Sequence, residues 1–141
     1  MSIEYELHFA DSRPTEELLA AAGLGELPGL LPFPGKPQAS RAHIIREAYG
    51  FTSKADLVLR VDPSFFNKDD GYTGNYTLIR AAMALLRAAQ GDMVLLFNWE
   101  KPMLMRRDGK LLLNNDGGWW DSPARLGLVD LPYVMEELPS L

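Results

Sequence analysis

Residues 91–121 read Gly91-Asp92-Met93-Val94-Leu95-Leu96-Phe97-Asn98-Trp99-Glu100-Lys101-Pro102-Met103-Leu104-Met105-Arg106-Arg107-Asp108-Gly109-Lys110-Leu111-Leu112-Leu113-Asn114-Asn115-Asp116-Gly117-Gly118-Trp119-Trp120-Asp121, and this stretch decides the fold. Three short apolar runs, each of strand length, are separated by turn residues. They predict strands over 93–99, 103–107 and 110–114. Asp108-Gly109 is a strong two-residue hairpin pair, because both central residues of such a turn need positive φ. The run closes on Asn114-Asn115-Asp116-Gly117-Gly118, where Asn and Asp bond their own backbone and Gly supplies positive φ. An antiparallel meander capped by a polar, aromatic loop is the result.

Upstream, Leu78, Ile79, Ala82, Leu85, Leu86 and Ala89 recur at three- and four-residue spacing. They predict a helix from about Asn75 to Ala89, stopped at Gln90-Gly91. At the N-terminus Ile3, Tyr5, Leu7 and Phe9 alternate with Glu4, Glu6 and His8, the period of a strand with one buried face. A helix over 16–22 follows, with Pro14 in its first turn, Asp11 or Ser12 as cap, and Gly23 as stop. Residues 23–37 hold four glycines and four prolines and read as a long loop with little regular structure. Ala42–Tyr49, a turn at 50–53 and the alternating Ala55–Val61 read together as a hairpin. Ser122-Pro123 opens a short last helix, and 131–141 has no clear pattern. The order predicts an α+β fold. We expect a single domain over 1–141, a mainly antiparallel sheet of about five or six strands, two main helices and a short third.

Composition narrows the chemistry. At 141 residues the chain can bury about 68–70% of its unfolded surface, so it needs no staples. It has no cysteine, which removes disulfides, thiolate metal sites and thiol catalysis together. The net charge of −5 disfavours a fold-wide attraction to nucleic-acid phosphates and would favour a basic protein partner. The start, Met-Ser-Ile-Glu-Tyr-Glu-Leu, lacks a basic region and an apolar run, and no stretch approaches the ~20 apolar residues of a membrane span. A cytoplasmic location is expected.

No catalytic constellation stands out. His8 and His43 both fall on segments read as strands, and His8 shares an outward face with Glu4 and Glu6. A solvated strand-face histidine explains both better than a general base does. Asp62, Asp69 and Asp70, or Asn114 to Asp121, lack the alternate-residue spacing of a calcium loop. Glu100 with Asp121 resembles a glycosidase pair only as any two acids would. Arg106-Arg107 reads as a solvated hairpin tip. No cofactor, metal or catalytic residue is expected. Aromatic and acidic residues are what remain. Phe66, Asp69, Asp70, Tyr72, Trp119, Trp120 and Asp121 are the candidate partner contacts, since exposed aromatics beside polar groups make interface hot spots. Adjacent tryptophans cannot face one side of an extended strand, so the chain turns there or one ring is exposed.

The block Leu86 to Phe97, the stretch Met105 to Leu111, and Trp119-Trp120 followed by Arg125-Leu126 resemble the Sit-type immunity proteins of the third class. Ile3-Glu4-Tyr5-Glu6-Leu7 and Leu57 to Asp62 are similar as well. The resemblance implies a small cytoplasmic protein that protects a bacterium by binding a cognate protein toxin delivered by contact with kin. It brings no catalytic residue; no nucleic acid, membrane or small-molecule substrate is expected as partner. Two other readings stay open on the residues alone. One is a small hydrolase-like enzyme using His8 or His43. The other is an accessory subunit of a stable complex, docked through the apolar loop 27–33.

Overall fold

The computed structural model describes residues 3–24, 30–35, 39–61 and 73–141. Their elements run β1 (Ile3–Phe9), α1 (Thr15–Ala22), β2 (Leu30–Pro34), α2 (Ala39–Tyr49), β3 (Ala55–Val61), α3 (Thr73–Ala88), β4 (Met93–Phe97), β5 (Lys101–Arg107), β6 (Lys110–Asn114), α4 (Pro123–Leu126) and β7 (Tyr133–Glu136). The strands form one sheet in the order β2-β3-β1-β4-β5-β6-β7. Every pair is antiparallel except β6 with β7, which are parallel. A parallel pair needs a long crossover, and the 115–132 segment containing α4 supplies it. The architecture is α+β and mostly antiparallel, as expected, with seven strands and four helices among the described residues.

The meander is as expected. Asp108 and Gly109 both have positive φ, at 51° and 80°, and Arg107 pairs with Lys110 across the turn. Ser122 caps α4, its hydroxyl accepting the Arg125 N–H at 3.3 Å, with Pro123 behind it. Gly23 ends α1 in the left-handed conformation, its N–H turned back on Ala20 and Leu19 carbonyls. The start of α1 differs: Pro14 occupies the cap position with no side-chain cap. Asp11 instead joins two chain segments. Its carboxylate accepts from Arg13 and from the Gln90 backbone N–H at 2.8 Å, tying the β1–α1 corner to the end of α3.

Three stretches depart from the sequence reading. Part of the expected loop over 23–37 is strand: residues 30–34 pair with β3, and Pro32 and Pro34 fit because β2 is an edge, where missing N–H groups go unused. Residues 39–49 form α2, not one arm of a hairpin. Ile44-Ile45 mimics a strand, yet Ile45 and Tyr49, four apart, are the pair it buries. The unpatterned tail supplies β7 and then a strap. Leu138 is buried, the Tyr49 hydroxyl donates to the Pro139 carbonyl at 2.8 Å, and Leu141 N–H reaches the Glu100 carbonyl at 2.9 Å.

These departures share a consequence: both faces of the sheet are covered. One face packs Tyr5, Leu7, Phe9, Leu57, Leu59, Met93, Leu95 and Leu113 against Leu18 of α1 and Leu78, Ala82, Leu85 and Leu86 of α3. The other packs Val94, Leu96 and Met105 against Ile45, Tyr49, Phe51 and Leu138. Each fully buried apolar side chain contributes ~1.5–3 kcal/mol, so the second face is a true core, not a wetted surface. Arg106, expected at a solvated tip, also folds inward. It donates to the Leu86, Ala89 and Gly91 carbonyls and so caps the C-terminal end of α3.

Candidate functional site

Tyr5, Phe97 and Lys101 lie side by side across β1, β4 and β5, and Gly117 and Trp119 of the 115–122 loop come in beside them. Gly117 and Gly118, with φ of 84° and 74°, reverse the chain, and Asp121 N–H closes on the Gly118 carbonyl. The turn sends the two tryptophans to different environments. Trp120 is 1% exposed, and its indole N–H donates to the Met103 carbonyl at 2.7 Å. Trp119 stays partly exposed, edge-on to Trp120 with ring centroids 4.6 Å apart. The Arg125 guanidinium lies 4.7 Å over the Trp119 ring and donates to the Trp119 carbonyl at 2.7 Å.

Two clefts open at this end, one of them lined by Trp119. One, of about 190 Å³, is lined by Tyr5, Phe97, Lys101, Met103, Gly117 and Trp119. Its walls are mostly apolar, and it has room for one large side chain. Tyr5 and Phe97 meet at 5.3 Å there, and burial pushes the Tyr5 hydroxyl up to about 12, with Arg125 opposing. The other cleft, of about 280 Å³, is polar and lined by Tyr76, Gly118, Asp121, Ser122 and Arg125.

The candidate contacts therefore divide. Trp119 and Asp121 sit together at this end, with Asp121 exposed. Trp120 is corrected: a ring sealed in the core has no surface for a partner, and its place is structural. Phe66, Asp69, Asp70 and Tyr72 lie outside the described residues. Phe97, Lys101, Tyr76 and Arg125 join the site without having been singled out. Phe97 was legible in principle: it ends the β4 apolar run on the Tyr5–Leu95 face and is 38% exposed.

The histidines also move. His43 is on α2, exposed, and pairs with Glu47 one turn on at 3.1 Å. His8 is 1% exposed, because α2 and the 97–100 turn roof the face that looked outward. Its Nδ1 meets Ser53 Oγ at 3.2 Å and its Nε2 lies 3.6 Å from Glu6 Oε2. Asp56 is its cross-strand partner, 6% exposed, packed so closely on Gly35 that a methyl there would overlap the carboxylate. Burial pushes the Asp56 carboxyl above its usual range, opposed by the charges of His8 and Arg41. Arg41 reaches in from α2, 3.9 Å from Glu6 Oε1 and 4.3 Å over Trp99. Glu6, His8 and Asp56 are buried, while Arg41 and Trp99 are partly exposed above them. Among the described residues no three His, Asp or Glu side chains are placed to hold a metal, and no helix is long and apolar enough to cross a membrane.

A protein-family model described as SitI3-like matches residues 30–124, about two thirds of the chain. No curated protein and no solved structure matches it.

Proposed function

The chain belongs to the SitI3-like family, a family of Sit immunity proteins, and from that premise we propose that it binds a cognate bacterial toxin and neutralises it by covering its active surface. The contact surface in this reading is the end of the sheet built from Trp119, Phe97, Lys101 and Asp121. One observation carries the assignment. A large ring is held half out of the core, braced by Trp120 beneath and Arg125 above, on the wall of an apolar cleft. A braced aromatic loses little conformational freedom on binding, which is the property of a hot-spot anchor. Asp121 and the net charge of −5 suit a toxin with a basic surface.

The toxin is delivered by contact with kin cells, and protection takes place in the cytoplasm. A standard interface hides about 1,600 Å² in total, some 800 Å² from each partner. The exposed surface of 7338 Å² over the described residues supplies that share with ease. The test is Trp119→Ala, measured by titration calorimetry against the toxin domain and by thermal melting of the free chain. Affinity should fall by more than ~1 kcal/mol while the chain stays folded. Unchanged affinity in a folded Trp119→Ala variant removes this end of the sheet as the contact surface.

A further inference from the structure

Four buried polar atoms have no hydrogen-bond partner among the described residues: Glu6 Oε2, His8 Nε2, Asp56 Oδ1 and Trp99 Nε1. All four belong to the single nest beneath α2. Unpartnered buried polar groups are rare and costly, and four together call for a common cause.

The hydrogen-bond geometry supplies one. The Ser53 hydroxyl lies 3.4 Å from the Ala55 carbonyl and 3.2 Å from His8 Nδ1, so the ring donates at Nδ1 when that hydroxyl points to Ala55. In a neutral ring that leaves Nε2 a bare acceptor, facing the carboxylate oxygen of Glu6 at 3.6 Å. Two acceptors face one another, and a proton is what would join them. Charge balance agrees. Glu6 and His8 come from β1, Asp56 from β3 and Arg41 from α2. The β4 residues opposite, Val94 and Leu96, are apolar, and Ser53 and Trp99 carry no charge. Farther along the same face Glu4 and Arg60 pair with each other at 2.7 Å. Among the described residues two carboxylates thus share one guanidinium, leaving one negative charge in this buried site without a described counter-charge.

We propose that this nest binds one proton more than its groups carry when unfolded at neutral pH, and that the bound proton latches α2 onto the sheet. The proton belongs to the coupled Glu6–His8–Asp56 set rather than to one residue. With it, the nest is neutral and Nε2 has a partner. Without it, an unpaired charge draws water inward, and Arg41 and Trp99, the roof, must give way. The roof is already held under tension. Asn98 and Trp99 both have positive φ, at 51° and 64°, and the second is a bulky residue where a turn prefers glycine. The upward shift of the Asp56 carboxyl points the same way.

The sign follows from linkage. The folded chain binds more protons than the unfolded one, so stability falls as pH rises and the proton is lost. Denaturant unfolding of the full chain between pH 5.5 and 8.5 reads this directly. The unfolding constant should rise toward tenfold per pH unit over part of that range. In Asp56→Asn, where the nest is balanced without the proton, the rise should vanish. A flat wild-type profile, or an equal slope in Asp56→Asn, overturns the proposal. Should Asp56→Asn fail to fold, ring nitrogen resonances of the wild-type chain decide the matter. His8 should change with the stability midpoint, and a His8 titration that simply copies exposed His43 overturns it.

Discussion

Replacing Trp120 tests whether the paired tryptophans are divided between core and surface as the fold places them. Trp120→Phe keeps most of the ring but removes the N–H that reaches the Met103 carbonyl at 2.7 Å. A buried neutral hydrogen bond contributes about 1 kcal/mol, so Phe should cost ~1–2 kcal/mol once the smaller ring is included. Trp120→Ala empties a site that is 1% exposed and undercuts Trp119, whose ring rests 4.6 Å away. Loss of a core aromatic costs ~3–5 kcal/mol, and the lost edge-to-face pair adds ~0.5–1.5 kcal/mol. Against a domain stability of ~5–15 kcal/mol, that is a large fraction. Urea unfolding followed by circular dichroism measures both variants, with Trp119→Ala as the surface comparison at ~1–2 kcal/mol. A Trp120→Ala cost below ~1.5 kcal/mol would mean that the ring is not part of the core, since a fully buried indole is not removed so cheaply.

Two other substitutions probe the scaffold. Arg106→Met keeps the apolar stem but removes the donors that cap α3 at Leu86, Ala89 and Gly91. It should cost ~1.5–3 kcal/mol in urea unfolding, whereas Arg107→Met, at an exposed position, should stay within ~0.5 kcal/mol. Asp11→Asn should flatten the acid limb of stability. Hydrogen bonding from Arg13 holds the Asp11 carboxyl well below the usual range, so the folded state keeps it ionised where the unfolded chain takes up a proton. Its contribution is present above about pH 4 and is lost as pH falls, and wild type and variant should converge in acid melts.

Much of the fold lay open in the sequence because local rules and tertiary demands agreed there. The 91–114 meander has its turn pair, Asp108-Gly109, and α3 has its apolar stripe and its own stop. The misread segments are those whose meaning depends on a second layer. Glu6, His8 and Asp56 alternate as a solvent face should, and only α2 lying across them makes that face an interior. Residues 39–49 bury just Ile45 and Tyr49, so their helical stripe is too thin to announce itself over Ile44-Ile45. β2 carries two prolines, and nothing local says that a sheet edge will tolerate them. At the candidate site, composition marked Trp119 and Asp121 but could not divide Trp119 from Trp120. That division is made by the Gly117-Gly118 reversal and by the Met103 carbonyl, whose place is fixed by the sheet.

The most direct measurement is amide hydrogen exchange of the chain alone and mixed with the toxin domain it opposes. A stable complex is expected, with new protection over 97–101 and 117–122 and little change in α1. No complex with a toxin whose effect the chain abolishes, or protection confined to surfaces away from Trp119, would contradict the proposed function.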